Sequence, residues 1–208
     1  MEPTSEYGLA RSYLSHSADT VQRAAQECCA AIVEAASVIA DSIGRGGSVL
    51  VCGNGGSAAD SQHFAAELVS CLDKHRQRRA LSAIALTTDT SILTAIGNDF
   101  GFDRVFARQV EALGREGDVL ICITTSGNSE NLLAATDAAR DSGLACVAIT
   151  GGDGGKIRPA ADVAIVVPGD GPGHVQEAQL AIEHLIATLV ERRLAGPKEE
   201  IGRKIEAD

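Results

Sequence analysis

A chain of 208 residues that is 45% hydrophobic but only 3% aromatic, with no Trp, builds one sizeable domain around Ala, Val, Ile and Leu, a composition suited to helices packed on a parallel sheet. A formal net charge of −10 excludes nucleic acid as a partner, because neutralising phosphates supplies most of that affinity. No apolar stretch approaches the ~20 residues of a membrane-spanning helix, and the N-terminus MEPTSEYGLARSYLSH lacks the basic and apolar regions of a secretory signal.

Residues 5–44 are Ala-rich, with apolar positions recurring every three or four and no Gly or Pro between Leu9 and Ile43. They predict one or two long helices ending near Gly44. Short apolar runs follow at 48–53, 81–87, 118–124, 145–150 and 161–167, separated by helix-like stretches at 57–73, 89–97, 103–112, 129–142 and 174–194. This alternation predicts a doubly wound, five-stranded parallel α/β sheet flanked by helices. The expected organisation is a single domain: N-terminal helices over 1–44, an α/β core over 45–194 and a charged tail over 195–208. The terminal helices exceed what five strands need for coverage, so their surplus apolar face is expected to pack subunits together. The basic run Lys74-His75-Arg76-Gln77-Arg78-Arg79 reads as a solvated loop, with a phosphate or partner contact as the alternative. Six cysteines (Cys28, Cys29, Cys52, Cys71, Cys122, Cys146) without CxxC spacing fit a reducing cytoplasm.

Two turns look suited to an anion. In VLVCGNGGSAAD (49–60), strand, glycine turn and helix start aim backbone N–H groups outward. The spacing is neither GxGxxG nor a Walker A loop. The alternative is an ordinary tight turn with Ser57 as N-cap. In ITTSGNSENLL (123–133), Thr124, Thr125, Ser126 and Ser129 gather hydroxyls where a strand meets a helix, a phosphate-type arrangement that needs no basic residue. Both turns fall at carboxyl ends of parallel strands, where open α/β sheets place ligands. Asn98 and Asp99 are expected in a glycine-flanked turn.

Two pairs at helical spacing carry the remaining chemistry. His63 and Glu67 are four apart, Gln176 and His184 eight apart, so each pair shares a helix face. Together they make a four-donor set for a zinc-type ion or an acid–base set for moving protons. Singly, each reads as a surface i,i+4 pair or as a buried polar residue satisfied by ordinary hydrogen bonds.

The stretches GNGGSAADSQHFAAEL, LTTDTSILTAIGNDFGF, FARQVEALGREGDVL, TTSGNSENLL and VQE…H together strongly resemble the bacterial phosphoheptose isomerases of the sugar isomerase (SIS) fold, from about residue 45 to about 194. The resemblance implies a homotetramer with active sites between subunits and one Zn2+ per subunit. By the same resemblance, His63, Glu67, Gln176 and His184 match metal ligands. Asn54, Gly55, Gly56, Ser57, Asn98, Asp99, Thr124, Thr125, Ser126 and Ser129, with Glu67 and Gln176, match positions that bind a small sugar phosphate. The implied reaction is isomerisation of sedoheptulose 7-phosphate to glycero-manno-heptose 7-phosphate through an enediol, for heptose nucleotide biosynthesis, with Glu67 and His184 as the catalytic proton carriers. The chain departs from the pattern at Cys71, where many relatives carry arginine, at Pro172, where many carry threonine, and at Gln179, where His is common. Alternatives are a non-catalytic SIS protein that binds a sugar phosphate or a replication-initiator partner, and an isomerase of another ketose phosphate.

Overall fold

A computed structural model describes residues 5–72 and 78–195. Most of the basic run and all but the first residue of the charged tail therefore lie outside the described residues. The first 40 of these residues form two helices, α1 (Glu6–Glu27) and α2 (Cys29–Gly44), with the break at Cys28. Ser5 caps α1 by accepting from the Gly8 N–H. Beyond Gly44 come β1 (Val49–Gly53), α3 (Gly56–Val69), β2 (Ala83–Ala85), α4 (Thr90–Asp99), a 3-10 turn (Phe102–Arg104) and α5 (Ala107–Leu113). They are followed by β3 (Val119–Ile123), α6 (Glu130–Asp141), β4 (Ala145–Gly151), β5 (Val163–Val167) and α7 (Pro172–Ala195).

All five strands are parallel, in the order β2-β1-β3-β4-β5. Successive strand side chains alternate between the two faces, so Val49, Val51, Ile121 and Ile149 pack under α2, α3 and α7. Leu50, Cys52, Leu120 and Ala148 pack under α5 and α6. Strands buried on both faces explain the unbroken apolar runs in β1 and β3. Each fully buried Leu or Ile contributes about 1.5–3 kcal/mol.

The expected doubly wound sheet is present. The chain leaves β1 toward β2 and returns to the other side of β1 at β3, which places the switch in winding direction between β1 and β3. Open α/β sheets place their ligands at such a point, outside the carboxyl ends of the strands. Pro172 starts α7, where its missing N–H costs nothing and its fixed φ favours the helix. From β5, α7 crosses back over the sheet to pack on α2 and α3. No described helix is long and apolar enough to cross a membrane.

Candidate active site and metal centre

Two turns, following β1 and β3, stand at this switch point. Gly55, at φ 56° and ψ −119°, starts α3 with no side-chain cap. Ser57 is therefore not the N-cap: it lies buried within the first turn, where its carbonyl accepts from the Ser61 hydroxyl at 2.7 Å. Gly55 and Gly56 are exposed, leaving their backbone open to a ligand. A side chain at Gly56 would run into the carboxamide of Gln176.

After β3, buried Thr124 accepts the Gly127 N–H on its hydroxyl at 3.2 Å. Gly127 adopts φ 66° with its Cα against the Gly154 carbonyl, a position no larger residue tolerates. Thr125 and Ser129 are half-buried, Ser126 is exposed, and Ser129 precedes α6 without capping it through its side chain. The two turns are tied together by a reciprocal amide pair: Asn54 Nδ2 donates to Asn131 Oδ1 at 2.9 Å, and Asn131 Nδ2 to Asn54 Oδ1 at 2.8 Å.

Next to the first turn, α3 and α7 face each other. His63 Nε2 stands 2.7 Å from His184 Nε2 and 3.6 Å from Glu67 Oε1. The donor atoms of all three residues lie within 4.8 Å of one another. His63 is 41% and Glu67 17% exposed, so a small ligand can reach them. Two imidazoles and a carboxylate are a zinc-type donor set, and this cluster could hold a metal ion. Gln176 is seated about two turns before His184, near the start of α7, where its Nε2 donates to Asp60 Oδ2 at 2.8 Å. That bond leaves the carboxamide oxygen as the atom available to a cation. Asp60, one turn before His63, thus orients Gln176.

Asn98 and Asp99 are not in a turn. They are the last residues of α4, exposed, with Asn98 Nδ2 on Asp99 Oδ1 at 2.6 Å. α4 packs against the 3-10 turn, and its Ile96 is buried in the layer opposite α3 and α7. No bond among the described residues joins this pair to the His63–Glu67–His184 cluster.

The departures from the family pattern have defined places. Cys71 directs its thiol at Glu191. Gln179 is fully buried and donates to the carbonyls of Thr124 and Ile149, at 2.7 and 3.2 Å, closing the ends of β3 and β4. One turn on, Glu183 is also fully buried, and neither of its carboxylate oxygens has a partner. Burial, with the nearby Asp60 charge second, pushes its carboxyl up to about 8. Burial likewise raises Asp60, against the Gln176 bond that lowers it. Sequence spacing could have flagged Asp60, three before His63; nothing in the sequence distinguishes Glu183 from a solvated helix acid.

Comparison with known proteins places this geometry. The SIS domain family matches residues 12–151. The phosphoheptose isomerase of Chlorobium phaeovibrioides is 52% identical over 180 residues, covering 86% of this chain and 84% of that protein. The chain belongs to the phosphoheptose isomerases. The phosphoheptose isomerase structure from Neisseria gonorrhoeae superposes with a TM-score of 0.85 at 41% identity, covering 90% of this chain and all of that one. The structure from Francisella tularensis gives 0.85 at 37% identity, with 91% and 100% covered. Membership makes the protein a sugar-phosphate isomerase with the SIS fold.

Proposed function

We propose that the protein interconverts sedoheptulose 7-phosphate and glycero-manno-heptose 7-phosphate for heptose nucleotide biosynthesis in the cytoplasm. The observation that carries this reading is the meeting of two imidazoles and a carboxylate beside two anion-type turns, at one end of one sheet. His63, Glu67 and His184 would hold one zinc ion with the Gln176 carboxamide oxygen. Bound there, it would polarise the sugar oxygens as a Lewis acid.

The protein's own residues move the protons. The open-chain ketose carries CH2OH at C1 and C=O at C2. Glu67 takes a proton from C1 while O2 gains one, giving the enediol. A proton returned to C2, with O1 losing its own, leaves the aldehyde at C1 and no net change in composition. His184, on the facing helix, serves the second side of this exchange. Thr124, Thr125, Ser126 and Ser129, with the first-turn N–H groups of α6, grip the phosphate through hydroxyl and backbone donors. Asn54, Gly55, Gly56 and Ser57 line the first turn against the sugar. That grip fixes the chain length between phosphate and reacting carbons.

The assembly we infer is a homotetramer with sites between subunits. Asn98 and Asp99, exposed on the opposite layer, then serve a neighbour's site. Tyr7, Leu9, Leu14 and Val21, apolar and exposed along α1, supply packing surface. The whole chain is read as one domain.

Incubation of the purified protein with sedoheptulose 7-phosphate in D2O, with and without chelator, tests the function by NMR. Deuterium entering at C1 and C2 with formation of the aldose supports it; a silent spectrum at every metal loading refutes it and leaves the binding role.

A further inference from the structure

A buried ion pair ties the end of α3 to α7. Arg78 Nε donates to Glu191 Oε1 at 2.8 Å, with the two side chains 11% and 4% exposed. The same guanidinium donates through Nη2 to the Glu67 carbonyl and through Nη1 to the Leu68 carbonyl, both at 2.8 Å. These carbonyls belong to the last turn of α3, where no further helical N–H reaches them, and a cation there also complements the helix dipole. Glu191 Oε1 accepts in addition from the Leu72 N–H at 3.2 Å and the Cys71 thiol at 3.7 Å. Glu191 follows His184 by seven residues, two turns along the same face of α7. One guanidinium–carboxylate pair therefore fixes the main chain of Glu67 against the helix that carries His184.

Stability alone does not account for this arrangement, because a buried ion pair usually gains little over well-packed apolar residues. What the pair supplies is direction: a planar fork of donors sets the distance and angle between its partners.

We propose that Arg78 and Glu191 are positioning residues that hold the Glu67 carboxylate at its working separation from the His184 imidazole, and so set the metal affinity and turnover of the site. This rests on the roles proposed above for Glu67 and His184.

The test is the double variant Arg78→Leu/Glu191→Leu, which removes both charges without stranding either, beside Arg78→Lys, which keeps the charge and loses the fork. Three readouts are taken: amide hydrogen exchange of residues 67–70 in metal-free protein, zinc affinity by chelator competition, and kcat and KM separately. The expected result is a double variant that melts within a few degrees of wild type yet exchanges faster at the end of α3. Its zinc affinity is expected to fall by roughly tenfold or more, the usual effect of losing support behind a ligand, and kcat to fall with KM little changed. A folded double variant with wild-type exchange and zinc affinity overturns the proposal. If the double variant does not fold, wild-type values in Arg78→Lys overturn it instead. Should the wild type take up no zinc, the ligand assignment fails on its own, and hydrogen exchange still decides whether the pair fixes Glu67.

Discussion

The Nε2 atoms of His63 and His184 stand 2.7 Å apart although 121 residues separate them in the chain. At that distance one ring nitrogen donates and the other accepts, and a small parting of the rings turns both lone pairs toward one cation. Neither helix produces this alone; it follows from α7 crossing back over the sheet to lie on α3. The pair is half-open to solvent and contributes little to the core, so it is removable without unfolding the protein. Glu67→Gln and His184→Gln should each lower kcat by about 10^2–10^4, the usual span for a lost acid–base group. Circular dichroism should show the wild-type fold. Near-normal exchange at C1 and C2 by either variant would remove that residue from the mechanism.

Gly56→Ala separates function from stability. Gly56 is exposed at the first position of α3, and the new methyl meets only the far end of a flexible side chain, so the melting temperature should change little. That side chain, however, is Gln176, which must swing away from Asp60. Loss of zinc affinity and turnover with a melting temperature close to wild type is the expected outcome. Wild-type activity would show that Gln176 need not sit where it does.

Asp60→Ala probes the same carboxamide from the other side. Without the 2.8 Å acceptor, Gln176 is free to rotate its NH2 toward the cluster. Metal affinity should drop by about 10- to 100-fold, as for other residues that orient a ligand. Isothermal titration with zinc measures it; an unchanged affinity would count Gln176 out as a ligand.

Much of this was legible because burial on both faces leaves a plain trace. The apolar runs at 48–53, 118–124, 145–150 and 161–167 locate β1, β3, β4 and β5 to within two residues: the first three are sealed between two helix layers, and β5 buries Val163, Ile165 and Val167 on one face. The run at 81–87 shrinks to Ala83–Ala85, an edge strand with no fully buried residue and with Ile84 exposed, whereas the other edge, β5, keeps alternate residues in the core. α3 stops at Val69 rather than 73. The 103–112 segment divides into a 3-10 turn and α5. His63, Glu67, Gln176 and His184 were visible as two spaced pairs, and the structure brings three of the four into one cluster. The supporting residues were hidden for a physical reason: Glu183 and Glu191 read as solvated helix acids and Arg78 as part of a solvated basic loop, and only packing between distant segments reveals that the two acids are buried and where all three point.

Glu183 yields the last prediction. Its carboxyl, raised from about 4.5 to about 8 by burial and by Asp60, holds its proton in the folded chain where the unfolded chain has lost it. Below about pH 4 both states are protonated and the residue costs nothing. From there upward the unfolded state ionises first, so wild-type stability declines with pH until the folded carboxyl ionises near 8, and levels beyond. At about 1.4 kcal/mol per unit of displacement the full cost is on the order of a few kcal/mol. Glu183→Gln keeps the shape and removes the titration. Urea denaturation of chelator-treated protein should therefore give curves that coincide near pH 4 and separate progressively toward pH 8, with the variant more stable. Parallel curves across that interval would show that Glu183 ionises normally in the folded protein. Asp60→Ala should narrow the gap only slightly, because burial, not the neighbouring charge, is the larger cause.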